Sequence, residues 1–209
     1  MILLVSKAHG TLVRVRDGQD PAVQDRLGRL LHPLDTSRVQ DSLDAGLPLA
    51  ADNRAFVGFE ADRFRAMLDK VAGLPLLFAT APDVVGDAAA TDALWEEWTP
   101  MVLAAGLTPA YVAQDGYRGL PPEAGALFVG GSTEFKLGPD GERAVRDAKR
   151  RGLWVHVGRV NTMRRLSYCK VIGADSVDGT QWSRFTSIYL AGGLAACGAG
   201  AQMRLGDSV

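Results

Sequence analysis

The segment GADSVDGTQWSRF (173–185) places two aspartates, Asp175 and Asp178, three residues apart at the end of a short apolar stretch. A buried carboxylate is costly without a partner, so packing alone seldom asks for such a pair. Strand ends, however, are where α/β folds keep their chemistry. Other short apolar runs end in the same way. Asp52 closes LPLAAD (47–52), Asp83 lies just beyond PLLFAT (75–80), and Gln114 closes PAYVAQ (109–114) with Asp115 behind it. Gly130 and Gly131 close ALFVGG (126–131), with Ser132 next, and a loop follows His156 in LWVHVG (153–158). Gathered at one mouth, these residues make a polar pocket of carboxylates, an amide and a glycine pair. Such a pocket suits a neutral, flat, hydrogen-bonding ligand. A phosphate would want a glycine-rich loop with a lysine, or a helix N-terminus.

The elements that must position these residues are short. With ILLVS (2–6) and ADSVDG (174–179), the runs above read as strands, and most are continuously apolar rather than alternating. That is the mark of parallel strands buried on both faces. LVRVR (12–16) does alternate and reads as an edge strand or hairpin partner. Helical spacing is read over 21–34, 60–73, 87–106 with Pro100 as a kink or break, 140–152, 161–173 with Asn161 as its cap, and from 185 to about 203. The alternation of strand and helix implies an α/β fold with a parallel sheet. Seven or eight units point to a (β/α)8-type TIM barrel, compact or incomplete, because 209 residues is near the lower end of roughly 200 or more for that architecture. An open doubly wound sheet is the alternative. Residues 1–209 are read as one domain, with DGYRGLPPEAGA (115–126) as a loop over one face.

Composition narrows the class. Hydrophobic residues make up 47% and charged residues 22%, and the formal net charge is −1, so no global basic field announces nucleic acid. Cys169 and Cys197 form no CxxC or Cys/His cluster, so neither a zinc site nor any other metal centre is expected, and they read as reduced, cytosolic residues. The opening MILLVSKAHG is too short an apolar run for a signal peptide or a membrane span. A cytoplasmic protein with no membrane partner is expected.

The order of these motifs resembles the tRNA-guanine transglycosylase family and its shorter phage and bacterial DNA-modifying relatives, which are barrels that exchange guanine for a 7-deazaguanine. Asp52-Asn53-Arg54-Ala55-Phe56 is similar to the family's Asp-to-aromatic strand-end motif, although Arg54 and Ala55 stand where the family has glycines. Val112-Ala113-Gln114-Asp115-Gly116 resembles its Val-Gln-Gly-Gly, Gly130-Gly131 its Gly-Gly, Val157-Gly158 its Met-Gly, and Gly173-Ala174-Asp175-Ser176-Val177-Asp178 its Gly-Ile-Asp-x-x-Asp. The resemblance implies Asp178 as nucleophile at C1′ and Asp52 as general acid/base. It also implies Asp83 (with Asp87 as rival), Gln114, Gly130 and Gly131 on the base edge, and Phe56 and Val157 with Gly158 about its faces. A carboxylate nucleophile suits an oxocarbenium-like centre. The implied enzyme is a pentosyltransferase needing no cofactor, with a polynucleotide and a free 7-deazaguanine base as partners. DNA is favoured over tRNA because the family's C-terminal zinc subdomain has no counterpart here. The implied target nucleotide is flipped out, and Arg159, Arg164, Arg165 and Arg184 would hold its phosphates. A homodimer or a partner subunit fits the same reading.

Each residue also admits a quieter role. Asp178 could cap the following helix, Asp175 make structural hydrogen bonds, Asp52 and Asp83 sit in turns, Phe56 join the core, Gly130-Gly131 form a turn, and His156 be a satisfied core or pocket-lining histidine. GGLAACGAG (192–200) reads as close helix packing rather than a nucleotide fingerprint. A nucleosidase or nucleoside-level transferase, and a non-catalytic purine- or nucleic-acid-binding barrel subunit, remain as alternative functions.

Overall fold

The computed structural model describes residues 1–198, apart from the side chains of residues 186 and 187. Eight short strands carry the core: β1 (Ile2–Val5), β2 (Leu27–Leu31), β3 (Leu49–Ala51), β4 (Ala79–Thr80), β5 (Pro109–Ala113), β6 (Ala126–Val129), β7 (Trp154–Val157) and β8 (Ser176–Asp178). All pair in parallel and in sequence order, and β8 returns to β1 through Ile2↔Ser176, Leu3↔Val177 and Leu4↔Asp178. The sheet is therefore a closed eight-stranded TIM barrel, complete rather than partial, and the open doubly wound sheet is set aside.

Alternation along each strand sorts the side chains into two layers. Inside lie Ile2, Leu4, Leu30, Ala50, Phe78, Ala110, Ala126, Phe128 and Trp154, which plug the barrel. Outside, Leu3, Leu27, Leu49, Tyr111, Val129, Val157 and Val177 meet the helices. Those helices are α1 (His9–Asp17), α2 (Pro21–Gln24), α3 (Val39–Asp44), α4 (Ala61–Val71), α5 (Ala88–Ala104), α6 (Thr133–Leu137), α7 (Pro139–Arg150), α8 (Met163–Val171), α9 (Thr180–Arg184) and α10 (Thr186–Gly198).

Four local expectations change. LVRVR lies in helix α1, where Leu12 is buried, Arg14 and Arg16 sit in the last turn, and Gly18 ends the helix. Its five-residue alternation is outweighed by the need for an element that covers β1. The helix expected over 21–34 is only the short α2, followed by strand β2. Leu27, Leu30 and Leu31 suit either period, and Gly28 decides the outcome. A Cβ there would lie 2.6 Å from Leu4 Cδ2 and 2.7 Å from the Pro48 carbonyl, so only glycine lets β1 and β3 close around this strand. Helix α5 continues through Pro100 without a break. The cap of α8 is Thr162, whose Oγ1 accepts the Arg165 amide, while Asn161 instead accepts the Gln181 amide at the start of α9. The end of the helix expected over 185–203, and of GGLAACGAG, lies outside the described residues.

Candidate active site

Parallel strands carry their last inward-facing residues to one mouth. A cleft of about 430 Å³, open to solvent, is lined there by Asp52, Asn53, Ala55, Phe56, Asp83, Val85, Val112, Gln114, Phe128, Gly130, Gly131, Arg159 and Asp178. Asp52, Asp83, Gln114, Gly130, Gly131 and Asp178, read separately from five strand ends, are thus brought together.

Asp52 and Asp178 share the cleft from β3 and β8. Burial pushes the Asp52 carboxyl up from 3.8 to about 7, and the negative charges of Asp178 and Asp83 add to this. The backbone N–H groups of Arg54 and Asn53 oppose the shift only in part. Asp178 is an acceptor: the Arg159 amide donates to its Oδ1 at 2.7 Å. It does not cap α9: Gly179 is the N-cap, and the side chain that accepts from that helix start is Asn161. Below it, His156 is fully buried, with Nδ1 2.9 Å from Ser176 Oγ and Nε2 3.5 Å from Asp178 Oδ1. Ser176 Oγ also accepts the Trp154 indole N–H at 2.9 Å. If the hydroxyl hydrogen goes to His156 Nδ1, the ring proton lies on Nε2, facing Asp178.

Asp83 is held by amides. Asn53 Nδ2 donates to one carboxylate oxygen at 2.7 Å and Gln114 Nε2 to the other at 2.6 Å. Burial raises its pKa, while those two donors and Arg159 pull the other way. Gln114 Oε1 in turn accepts the Gly86 amide at 2.9 Å, tying down the β4–α5 loop. Gln114 is therefore largely occupied in orienting Asp83. Gly130 and Gly131 are required by space. A Cβ on Gly130 would lie 2.8 Å from Val112 Cγ1, and Gly131 has φ +70°.

Arg159 reaches across the mouth. It sits in the left-handed region at φ +59°, its guanidinium donates to the Gly131 carbonyl, and Cζ lies 4.2 Å from the centroid of Phe56, an exposed rim residue. One aromatic face of Phe56 is thus covered by a cation.

Several expected positions fall elsewhere. Val157 is buried in the outer layer, lining a separate groove with Lys136, Arg165 and Cys169. It cannot stack on a ligand in the cleft, because β7 places His156 inward and Val157 outward. Gly158 follows β7, where an added Cβ would meet Phe128 and Asp178 Oδ1. Arg164 and Arg184 are exposed on α8 and α9 and do not line the cleft. Asp175 makes structural bonds, accepting from the Val155 amide at 2.7 Å and from Lys149. Asp87 caps α5 through the Ala90 amide. Sequence reasoning missed Asn53, Val112 and Phe128 as lining residues, whereas it reads His156 as a core or pocket-lining histidine. Only Asn53, adjacent to Asp52, carried a signal. No group of three His, Cys, Asp or Glu side chains is placed to hold a metal ion among the described residues. Nor, among them, is any helix long and apolar enough to cross a membrane.

No family model matches the chain, and no curated protein matches it. Solved structures do. The KDPGal structure aligns with a TM-score of 0.55 and 15% identity, over 94% of this chain and 91% of that one. A monomeric dihydrodipicolinate synthase variant gives 0.54 and 12%, over 94% and 76%. CdNal from Clostridium difficile, in complex with mannosamine, gives 0.55 and 10%, over 94% and 79%. Likeness at this identity establishes the barrel alone. These neighbours are aldolase- and lyase-type barrels, not transglycosylases, and the family resemblance drawn from short motifs is withdrawn. With it go guanine exchange by a pentosyltransferase, the nucleosidase and purine-binding alternatives, and the polynucleotide and 7-deazaguanine partners. The geometry agrees. The purine sandwich has lost one side to Arg159, stacked on Phe56, and the other to the outward turn of Val157.

Proposed function

We propose that this barrel is an acid–base enzyme of the lyase or isomerase kind, acting on a small molecule without a Schiff-base lysine. Asp178 is the base and Asp52 the acid. The observation that carries the reading is the Asp52 carboxyl, pushed up to about 7 by burial and then by the charges of Asp178 and Asp83, in the same cleft as Asp178. A carboxyl that holds its proton near neutrality beside a second carboxylate marks an acid that can work at neutral pH with a base at hand. Asp178 takes a proton from the substrate while the Arg159 amide holds its Oδ1. Asp52, protonated, delivers one to a developing oxyanion or leaving oxygen. Asp83, oriented by Asn53 and Gln114, accepts a substrate hydroxyl or ammonium proton. Gly130 and Gly131 allow the ligand to approach the backbone closely.

Charge indicates the substrate class. With Asp52 protonated, the cleft sets the Asp83 and Asp178 side chains against one lining cation, Arg159, and no lysine lines it. A neutral polyhydroxylated or amine-bearing molecule fits this field better than an anion. The similarity in fold to small-molecule barrels supports an enzyme but does not select the reaction.

The test is a panel of neutral hydroxyketones, polyols and amino sugars, with carboxylate and phosphate analogues beside them, incubated in deuterated water and followed by NMR. Solvent deuterium incorporation or turnover is expected with the neutral or cationic members and is lost in both Asp52→Asn and Asp178→Asn. Turnover that survives both substitutions, or activity confined to the anionic analogues, overturns the proposal.

A further inference from the structure

Among the described residues outside the cleft, the least explained charge is Lys136. It lies in α6, is 5% exposed, and faces the groove between α6, β7 and α8 on the outer side of the barrel wall. Its ammonium makes no ion pair among the described residues and donates one hydrogen bond, to the Gly158 carbonyl at 3.1 Å. A buried ammonium with a neutral partner is costly, and a methionine would fill the same space.

What Gly158 does with that bond gives the lysine a role. The carbonyl of Gly158 and the N–H of Arg159 belong to one peptide group. Its oxygen accepts from Lys136, and its N–H donates to Asp178 Oδ1 at 2.7 Å. The unit is pinned on both sides, by the Gly158 amide on the Val129 carbonyl at 3.1 Å and by the Val160 amide on the Asp178 carbonyl at 2.6 Å. No other residue fits at 158, since a Cβ there would lie 2.6 Å from Phe128 Cε1. Arg159 holds the left-handed backbone, at φ +59°, that goes with this orientation of the peptide.

We infer that Lys136 is a positioning residue for Asp178, acting through the barrel wall: its ammonium polarises the Gly158–Arg159 peptide and so strengthens the amide that holds the carboxylate. A charged donor at the carbonyl end of a peptide makes its N–H a better donor, and hydrogen bonds in such a chain reinforce one another. The charge thereby reaches Asp178 without occupying the cleft. Its importance for turnover rests on the functional reading above, but the relay itself does not.

The groups facing Lys136 are Arg159 from the β7–α8 loop, Asp178 from β8, and Arg165 and Cys169 from α8. Burial, then Arg159, push the lysine down to about 8; Asp178 works in the opposite direction. The experiment follows the Asp178 side-chain carboxyl by carbon-13 NMR in the parent and in Lys136→Met, with circular dichroism as the check on folding. The expected result is an upward move of the Asp178 midpoint by roughly half a unit or more, with Lys136→Arg restoring most of it. An unchanged midpoint in folded Lys136→Met overturns the relay. Should Lys136→Met not fold, the reciprocal measurement decides. The Lys136 midpoint falls in Asp178→Asn if the two are coupled, and an unmoved lysine overturns the proposal. Loss of turnover in Asp178→Asn tests the functional reading separately.

Discussion

Asp52→Asn isolates the electrostatic cost on which the proposed acid rests. The carboxyl moves from 3.8 to about 7 on folding, roughly three units, which at 1.36 kcal/mol per unit is about 4 kcal/mol. Partial exposure and coupling to Asp83 and Asp178 reduce this, and about 2 kcal/mol is the working figure. The sign follows from proton counts. Between pH 4 and 7 the folded state keeps the Asp52 proton while the unfolded chain has lost it, so this group costs stability as pH rises and the cost levels off above 7. Asparagine has nothing to ionise, and its Oδ1 can still accept from the Asn53 and Arg54 amides. The variant should therefore gain on the parent as pH climbs from 4 to 8, by about 2 kcal/mol, or about 4–8 °C for a chain of this size. Urea titrations at pH 4, 6 and 8 measure the difference directly, and the same variant should lack turnover. A stability gap that stays flat across that range, or moves in the parent's favour, refutes the reasoning that Asp52 holds its proton near neutrality.

Other perturbations test the frame around the pair. Gln114→Leu should cost about 1–3 kcal/mol, because it strips a donor from Asp83 and an acceptor from the Gly86 amide; urea unfolding reads it, and proteolysis should quicken within residues 83–87. Gly28→Ala should destabilise by about 1–3 kcal/mol or more by overpacking Leu4 and the Pro48 carbonyl, measured as a lower Tm. Asp35→Asn should cost about 2–3 kcal/mol, since Arg29 is fully buried and its guanidinium donates to Asp35 at 2.9 Å. Its pH dependence is opposite to that of Asp52. The Asp35 pKa is lowered on folding, by its bonds to Ser37 and the charge of Arg29 against the cost of burial, so its contribution is present above the ordinary carboxylate range and lost in acid. The gap between parent and Asp35→Asn should close as pH falls below about 4.

Seven of the eight strands were legible because parallel strands buried on both faces are mostly apolar, a signal that survives in short runs even with His156 in β7 and with Ser176 and Asp178 in β8. β2 was not. It contains Arg29, which no apolar run suggests, and the two terminal nitrogens of its buried guanidinium donate to Asp35, Ser42 and the Ser37 carbonyl, all on the α3 side and at least six residues ahead in the chain, while Nε has no partner among the described residues. The leucines alone could not tell a strand from a helix. Helix α1 failed for the converse reason: five alternating residues fit a strand, and only the barrel's need for cover makes them a helix.

The site was legible in position and misleading in identity. Strand-end carboxylates converge in any such barrel, so Asp52, Asp83 and Asp178 meet whatever the chemistry is, and short motifs around them matched a family to which the fold comparisons give no support. What separates one barrel chemistry from another here is not spelled out in the residues at the mouth. It lies in contacts made by neighbours that a sequence reads as surface. Arg159 looks like a loop cation, yet its backbone amide fixes Asp178 while its guanidinium covers Phe56. Lys136 looks like a solvated charge in a polar helix, yet it is buried on the carbonyl of the same peptide. Both depend on the left-handed backbone at a non-glycine residue, a conformation no propensity predicts and one retained only where surrounding structure over-determines it. The strain at Arg159 therefore marks the place where the barrel wall and the cleft are coupled. Arg159→Gly, which relaxes that backbone but discards the side chain, should leave the Asp178 midpoint close to the parent value while releasing Phe56. A large move of the midpoint would show that the guanidinium, not the peptide, governs the carboxylate.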